Sequence, residues 1–260
     1  MPSSPPSTDD TPAPETPVSA PRLYLPQALS PGTLIDLPAA QARHVQALRL
    51  GQGDALCLFN GEGGEYPANL VNAERGKQTV QLGAWLAIER ESPLAITLAL
   101  GISAGDRMDF ALQKATELGV ARIVPIAAER SVVRLSDERA LKRMQHWQGI
   151  LASACEQCGR NRLPQLQAVS TLAAFLANSP PSPRLMLALQ AGPDAPRLRD
   201  LQLQQQASLL IGPEGGYSER ELALALQNGF EPLRIGPRVL RTETAPLAVI
   251  AALQALYGDC

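Results

Sequence analysis

Histidine and cysteine are scarce in this 260-residue chain: His44 and His146 are the two histidines, and Cys57, Cys155, Cys158 and Cys260 the four cysteines. One Cys-x-x-Cys with no second pair at ligand spacing argues against a zinc site, so no metal is expected. Cys155 and Cys158 fall at the end of a helical pattern before Gly159, whereas a redox pair sits at the start of a helix after a strand. Packed thiols are the reading there. An apolar run of the roughly eighteen residues that a membrane span needs is also missing, as is a basic-then-apolar leader. No membrane association and a cytoplasmic location are expected. A charge excess is lacking too: 23 basic and 25 acidic side chains leave −2, which taken whole argues against a strongly basic nucleic-acid binder.

That average hides a composition shift. Residues 1–21 hold seven of the 23 prolines among small and polar companions, too little apolar surface to order a segment. We read them as a disordered Pro-rich tail. Its only charged side chains are Asp9, Asp10 and Glu15, and without these three acids the balance is +1. The rest of the chain, 45% hydrophobic over the whole sequence, is long enough for a sizeable core in one large or two smaller domains.

Two textures follow. Residues 22–90 alternate in short runs (23–25, 54–59, 66–71, 78–82) broken by glycine and polar turns, with Asn60-Gly61 as a hairpin signal because both residues tolerate positive φ. This is a small β-rich domain. Residues 91–260 interleave apolar runs at 96–102, 122–125, 185–189, 209–211 and 233–235 with helical patterns at 107–118, 136–155, 219–228 and 245–257, implying parallel strands joined by helices. Ser218 with Glu221 forms a capping box, and Ser136 with Asp137 and Glu138 caps another helix start.

Two stretches carry ligand chemistry. In Leu210-Ile211-Gly212-Pro213-Glu214-Gly215-Gly216, a strand enters a glycine-rich loop before a capped helix, which brings bare backbone amides close to whatever lies above the strand end. It is neither a Walker loop nor Gly-x-Gly-x-x-Gly, so phosphate and dinucleotide readings are weak. In Ile235-Gly236-Pro237-Arg238-Val239-Leu240-Arg241-Thr242-Glu243-Thr244-Ala245-Pro246 a second loop leads into a helix with proline in its first turn.

These two motifs, with Gln113-Lys114-Ala115-Thr116-Glu117-Leu118-Gly119 and Cys155-Glu156-Gln157-Cys158-Gly159-Arg160-Asn161, resemble RsmE-type 16S rRNA uridine-N3 methyltransferases of the SPOUT superfamily. The resemblance covers about residues 22–259; the tail has no equivalent. It implies an α/β fold: a trefoil-knotted SPOUT domain at 91–260 preceded by a PUA-like RNA-binding β-barrel at 22–90. It also implies a homodimer, S-adenosyl-L-methionine as cofactor, and 16S rRNA near the decoding centre, within the small subunit, as substrate. Carried over residue by residue, the cofactor is held by Leu187, Ala188, Leu189, Leu210, Ile211, Gly212, Pro213, Gly216, Ile235, Gly236, Val239, Leu240, Thr242 and Thr244.

Methyl transfer is an in-line displacement in which the enzyme supplies proximity, orientation and a dry pocket. N3 of uracil is protonated and lies on the pairing edge, so the base must be unpaired or flipped out and must lose a proton. Arginine donors stabilise the resulting charge, and a general base assists. Arg241 orients uracil or cofactor in this reading; Glu214 and Glu243 are the general-base candidates, Glu243 alternatively serving the helix dipole. RNA contacts are expected from Arg22, Arg43, His44 and Arg49 on the β domain and from Arg130, Arg134, Arg160, Asn161 and Arg162 beyond it. Two other readings stay open: a SPOUT ribose 2′-O-methyltransferase, and a non-catalytic RNA-binding assembly factor.

Overall fold

A computed structural model describes residues 20–74, 76–131, 137–178, 183–187 and 196–260. Nearly all of the Pro-rich stretch, the Ser136 cap, Ala188, Leu189 and Arg134 lie outside these. Two compact units result, the first ending at Ile88 and the second spanning Glu89–Cys260.

The first unit is a five-stranded sheet in the order β1-β3-β4-β5-β2, made of β1 (Arg22–Tyr24), β2 (Leu34–Asp36), β3 (Ala55–Phe59), β4 (Tyr66–Glu74) and β5 (Lys77–Leu82), with helix α1 (Ala39–Ala47). Only the β1–β3 pair is parallel. Period-two alternation puts Tyr66, Ala68 and Leu70 of β4 and Val80 and Leu82 of β5 on one inner face, which closes over Leu23, Leu56, Leu58 and Val45. The sequence reading missed β2 and α1. The helix has only Ala42 and Val45 as buried residues and no side-chain cap, so its apolar pattern is faint. The hairpin after β3 exists, but not as a two-residue Asn-Gly turn. Residues 60–65 intervene, Gly61, Gly63 and Gly64 carry the positive φ, and Asn60 Oδ1 instead accepts from the Glu62 N–H at 3.1 Å.

The second unit is a parallel sheet with helices on both faces. Its strands are β6 (Ala95–Gly101), β7 (Arg122–Ala127), β8 (Gln165–Leu166), β9 (Ser170–Thr171), β10 (Arg184–Leu187), β11 (Gln206–Ile211) and β12 (Glu231–Leu233). The order is β12-β10-β11-β6-β7-β8, with β9 also on β7. The helices are α2 (Gly105–Glu117), α3 (Asp137–Cys158), α4 (Leu172–Ala177), α5 (Glu219–Gln227) and α6 (Thr244–Tyr257). Strand residues alternate between two cores. Leu98, Leu100, Leu209 and Ile211 pack with Met108, Trp147 and Val249 of α2, α3 and α6, while Ala99, Leu210 and Met186 pack with Phe175 and Ala225 of α4 and α5. Burial on both faces explains why these strands read as unbroken apolar runs. The last strand is shifted from the expected 233–235: Ile235 leaves the ladder before Gly236, whose φ of 137° few side chains tolerate.

Buried polar groups lock the layers. Gln254 of α6 accepts from Ser92 Oγ at 2.7 Å and donates to the Leu118 carbonyl at 2.9 Å. Cys155 and Cys158 end α3, as the spacing suggests, and Gly159 follows with φ 88°. Neither is in a disulfide; Cys155 is fully buried and Cys158 partly so. Among the described residues no His, Cys, Asp or Glu cluster could hold a metal, and no helix is long and apolar enough to cross a membrane.

Candidate active site

The strand order reverses beside β6: β7 lies on one side of it and β11, β10 and β12 on the other. In parallel α/β sheets ligands bind beyond the carboxyl ends of strands near such a reversal. A cleft of about 560 Å³ opens there, walled by Leu187 at the end of β10, residues 211–217 after β11 and residues 233–240 after β12. Thr242, Ala245, Leu222 and Arg130 complete it.

The β11 loop is shaped by close backbone approaches. A Cβ on Gly101 would collide with the backbone nitrogen of Pro213, and one on Gly215 would stand 3.0 Å from the carbonyl oxygen of Arg130. Gly216, at φ 65°, donates its N–H to the Pro213 carbonyl at 2.8 Å. Tyr217 folds back into the core and donates its hydroxyl to the Ile211 carbonyl at 3.2 Å. Burial, then the neighbouring Glu221 charge, push that phenol well above its ordinary pKa, so it stays protonated. The capping box closes the loop: Ser218 Oγ accepts from the Glu221 N–H, and Glu221 Oε2 accepts from the Ser218 N–H. Glu221 Oε1 also accepts from the Glu129 N–H at 3.0 Å, tying the turn after β7 to the same corner.

Glu214 is the carboxylate of the cleft. Its Oε1 accepts from the Ala104 N–H at 3.1 Å and from Arg107 Nη1 at 3.3 Å, while the buried Oε2 has no hydrogen-bond partner. Burial by itself would raise its pKa, but the Ala104 amide, its own amide and Arg107 outweigh this and hold the carboxyl below its usual range. A firmly ionised Glu214 is a weak proton acceptor.

Of the residues expected at the cofactor, Leu187, Ile211, Gly212, Pro213, Gly216, Ile235, Gly236, Val239, Leu240 and Thr242 line the cleft. Leu210 does not: strand alternation turns it into the α4/α5 core. Thr244 is likewise outside the lining, on the first turn of α6, and so are the two other residues expected at the chemistry, Arg241 and Glu243. Glu243 is the residue at the start of α6, the position of its alternative reading as a carboxylate serving the helix dipole. Gly215, Tyr217, Leu222, Leu233, Arg234, Pro237, Arg238 and Ala245 line the cleft without having been singled out. Gly215, Pro237, Arg238 and Ala245 sit inside the quoted motifs; the others answer only to the tertiary path of the loops.

The RNA-contact candidates divide by burial. Arg130 is exposed at the cleft, and Arg43 and Arg49 are exposed on and just after α1, with His44 half-buried in its last turn. Arg160 and Asn161 are corrected by the structure to interior positions, 3% and 0% exposed. Arg160 donates to both Glu91 carboxylate oxygens and to the carbonyls of Thr116 and Val120, so its donors are spent within the fold. Arg162 lies 3.4 Å from Glu89. Arg22 is held at 2.6 Å by the buried Glu65, over the Phe59 ring.

Comparison with known proteins agrees with this geometry. Residues 90–254 match an RNA methyltransferase domain model, and residues 37–82 match an RNA methyltransferase PUA domain model. The chain is 31% identical over 226 residues to ribosomal RNA small subunit methyltransferase E of Bacillus subtilis, covering 83% of this chain and 88% of that one. It is similar to the Neisseria gonorrhoeae ribosomal RNA small subunit methyltransferase E solved with S-adenosyl methionine: TM-score 0.88, 42% identity, covering 92% of this chain and 99% of the other. A Legionella pneumophila methyltransferase solved with bound cofactor SAM aligns with TM-score 0.89 and 40% identity, covering 94% and 100% of the two chains.

Proposed function

The chain belongs to the family of ribosomal RNA small subunit methyltransferases E, and from that premise we propose that it methylates N3 of a specific uridine of 16S rRNA near the decoding centre, with S-adenosylmethionine bound in the cleft. The observation that carries this is the convergence of the β10, β11 and β12 ends on one cleft of about 560 Å³, within the size range of small-molecule sites.

The residues present fit the cofactor. Leu187, Ile211, Leu233 and Ile235 offer apolar walls to a flat purine, the glycine loop presents backbone edges, and Glu214 presents a carboxylate to a cationic group. The bound donor supplies a methyl group activated on a sulfonium. The loops then act by holding and orienting two partners and by keeping water out. Glu214, held ionised, and Tyr217, held protonated, are poorly suited to remove the N3 proton. The N3 proton passes to solvent before the pocket closes, and the positive field of Arg130, Arg234 and Arg238 at the cleft lowers the cost of the uracil anion left behind.

The same reading includes the trefoil knot, a cytoplasmic location and a homodimer. Helix α6 supports the dimer: Val249, Ile250 and Leu253 are buried, yet its outer side still carries Ala248 and Leu256 exposed. Nucleoside mass spectrometry tests the activity. Small subunits from a strain lacking the protein should gain 3-methyluridine in 16S rRNA on addition of the chain and S-adenosylmethionine. A 2′-O-methylated nucleoside with unmodified N3 would overturn the proposal.

A further inference from the structure

Arginine supplies 20 of the 23 basic side chains, and the structure sorts them by whether the fold consumes them. Arg22, Arg107, Arg160 and Arg162 are ion-paired with Glu65, Glu214, Glu91 and Glu89. Three exposed arginines at the cleft are not: among the described residues Arg130 and Arg238 have no ion pair or side-chain hydrogen bond, and Arg234 makes one hydrogen bond, from Nε to the Gly236 carbonyl at 3.3 Å.

Their placement is built. The turn bearing Arg130 is fixed by the hydrogen bond from the Glu129 N–H to Glu221, and its backbone fills the space that a side chain on Gly215 would need. Arg234 and Arg238 come from the loop after β12. Three guanidinium groups exceed what one cofactor carboxylate can occupy, since a single arginine already pairs with a carboxylate through two hydrogen bonds. The carboxylate of the cleft, Glu214, is engaged by Arg107. A target base turned into the cleft brings a phosphate on either side of it to the mouth, and planar guanidinium groups match phosphate oxygens.

Building on the methyltransferase reading, we propose that Arg130, Arg234 and Arg238 grip the RNA phosphates flanking the target uridine at the mouth of the cleft. The shared ligand chemistry is an oxyanion, and the experiment separates its two sources, RNA phosphate and cofactor carboxylate.

Binding of unmodified 16S rRNA is measured across a potassium chloride series for the wild type, R130A, the R234A/R238A pair and the R234K/R238K pair. Calorimetry with S-adenosylmethionine alone runs beside it. The alanine pair should reduce the slope of log affinity against log salt by about 1.4 to 1.8, and R130A by about half of that, because each neutralised phosphate contributes roughly 0.7 to 0.9. The lysine pair should restore the slope, and cofactor affinity should stay within about twofold. An unchanged slope with weakened cofactor binding assigns the guanidinium groups to the cofactor carboxylate and overturns the proposal. An unchanged slope with unchanged cofactor binding makes them solvated side chains and overturns it as well. Should the alanine variants misfold, the lysine pair decides: a slope below the wild-type value contradicts a charge-based grip. A wild type that binds no S-adenosylmethionine, with or without RNA, defeats the methyltransferase reading itself, an outcome distinct from all of these.

Discussion

Arg160 and Glu91, 69 positions apart in the chain, form a two-armed ion pair, Nη2 to Oε2 at 2.5 Å and Nε to Oε1 at 3.0 Å. The remaining terminal nitrogen donates to the carbonyls of Thr116 and Val120 at 2.8 and 3.0 Å. One side chain thereby joins the segment entering β6, the end of α2 and the turn after α3. Burial alone would make that guanidinium easier to deprotonate, but the Glu91 hydrogen bond and charge outweigh it and raise its pKa.

Glu91→Ala should therefore cost about 3 kcal/mol in urea unfolding, because it strands a buried cation rather than merely deleting a contact. Replacing both partners by apolar residues should cost less. A single-variant loss below about 1 kcal/mol would show that water reaches the guanidinium.

Glu214 makes stability depend on pH in a defined direction. Its carboxyl is held below the ordinary value in the folded chain, so its contribution is complete above the unfolded-state pKa and is lost as pH falls through the lower folded-state value. Glu214→Gln should be less stable than wild type at pH 7 by about 1 kcal/mol, the size of an ordinary hydrogen-bond contribution. The two unfolding curves should converge as the solution is acidified below the usual glutamate range. A gap that widens on acidification would contradict a depressed pKa.

Gly101→Ala tests the contact between β6 and the cofactor loop. The added methyl meets the Pro213 backbone, which cannot rotate away as a flexible side chain would. Overpacking of this kind costs about 1–3 kcal/mol. Because the displaced atoms belong to the cleft, S-adenosylmethionine affinity should fall by at least about tenfold in calorimetry. Unchanged affinity would mean that the loop binds nothing.

Local rules account for much of what was legible. Parallel strands buried on both faces read as apolar runs, the Ser218–Glu221 capping box is written within four positions, and α3 stops where Gly159 permits a positive φ. The short β2 and α4 and the weakly amphipathic α1 escaped because their stability comes from packing rather than from their own pattern. Leu210 illustrates the limit at the site. Its place in a glycine-loop motif suggested a ligand contact, but the two-residue period of β11 turns Leu210 into the α4/α5 core, while Ile211, on the opposite face at the strand end, borders the cleft.

Charge shows the same division most clearly. The near-neutral total, the acids of the Pro-rich stretch, the motif glycines and the family likeness all follow from residue order, since composition and short-range backbone rules need no partner. Which arginines remain available does not. Arg160 lies inside a family motif yet is consumed by Glu91, while Arg234 lies in no quoted motif and stands at the cleft with its terminal nitrogens unpaired among the described residues. That distinction depends on carboxylates and carbonyls brought close by folding from tens of residues away, and on the Coulomb and desolvation energies that act only at those distances.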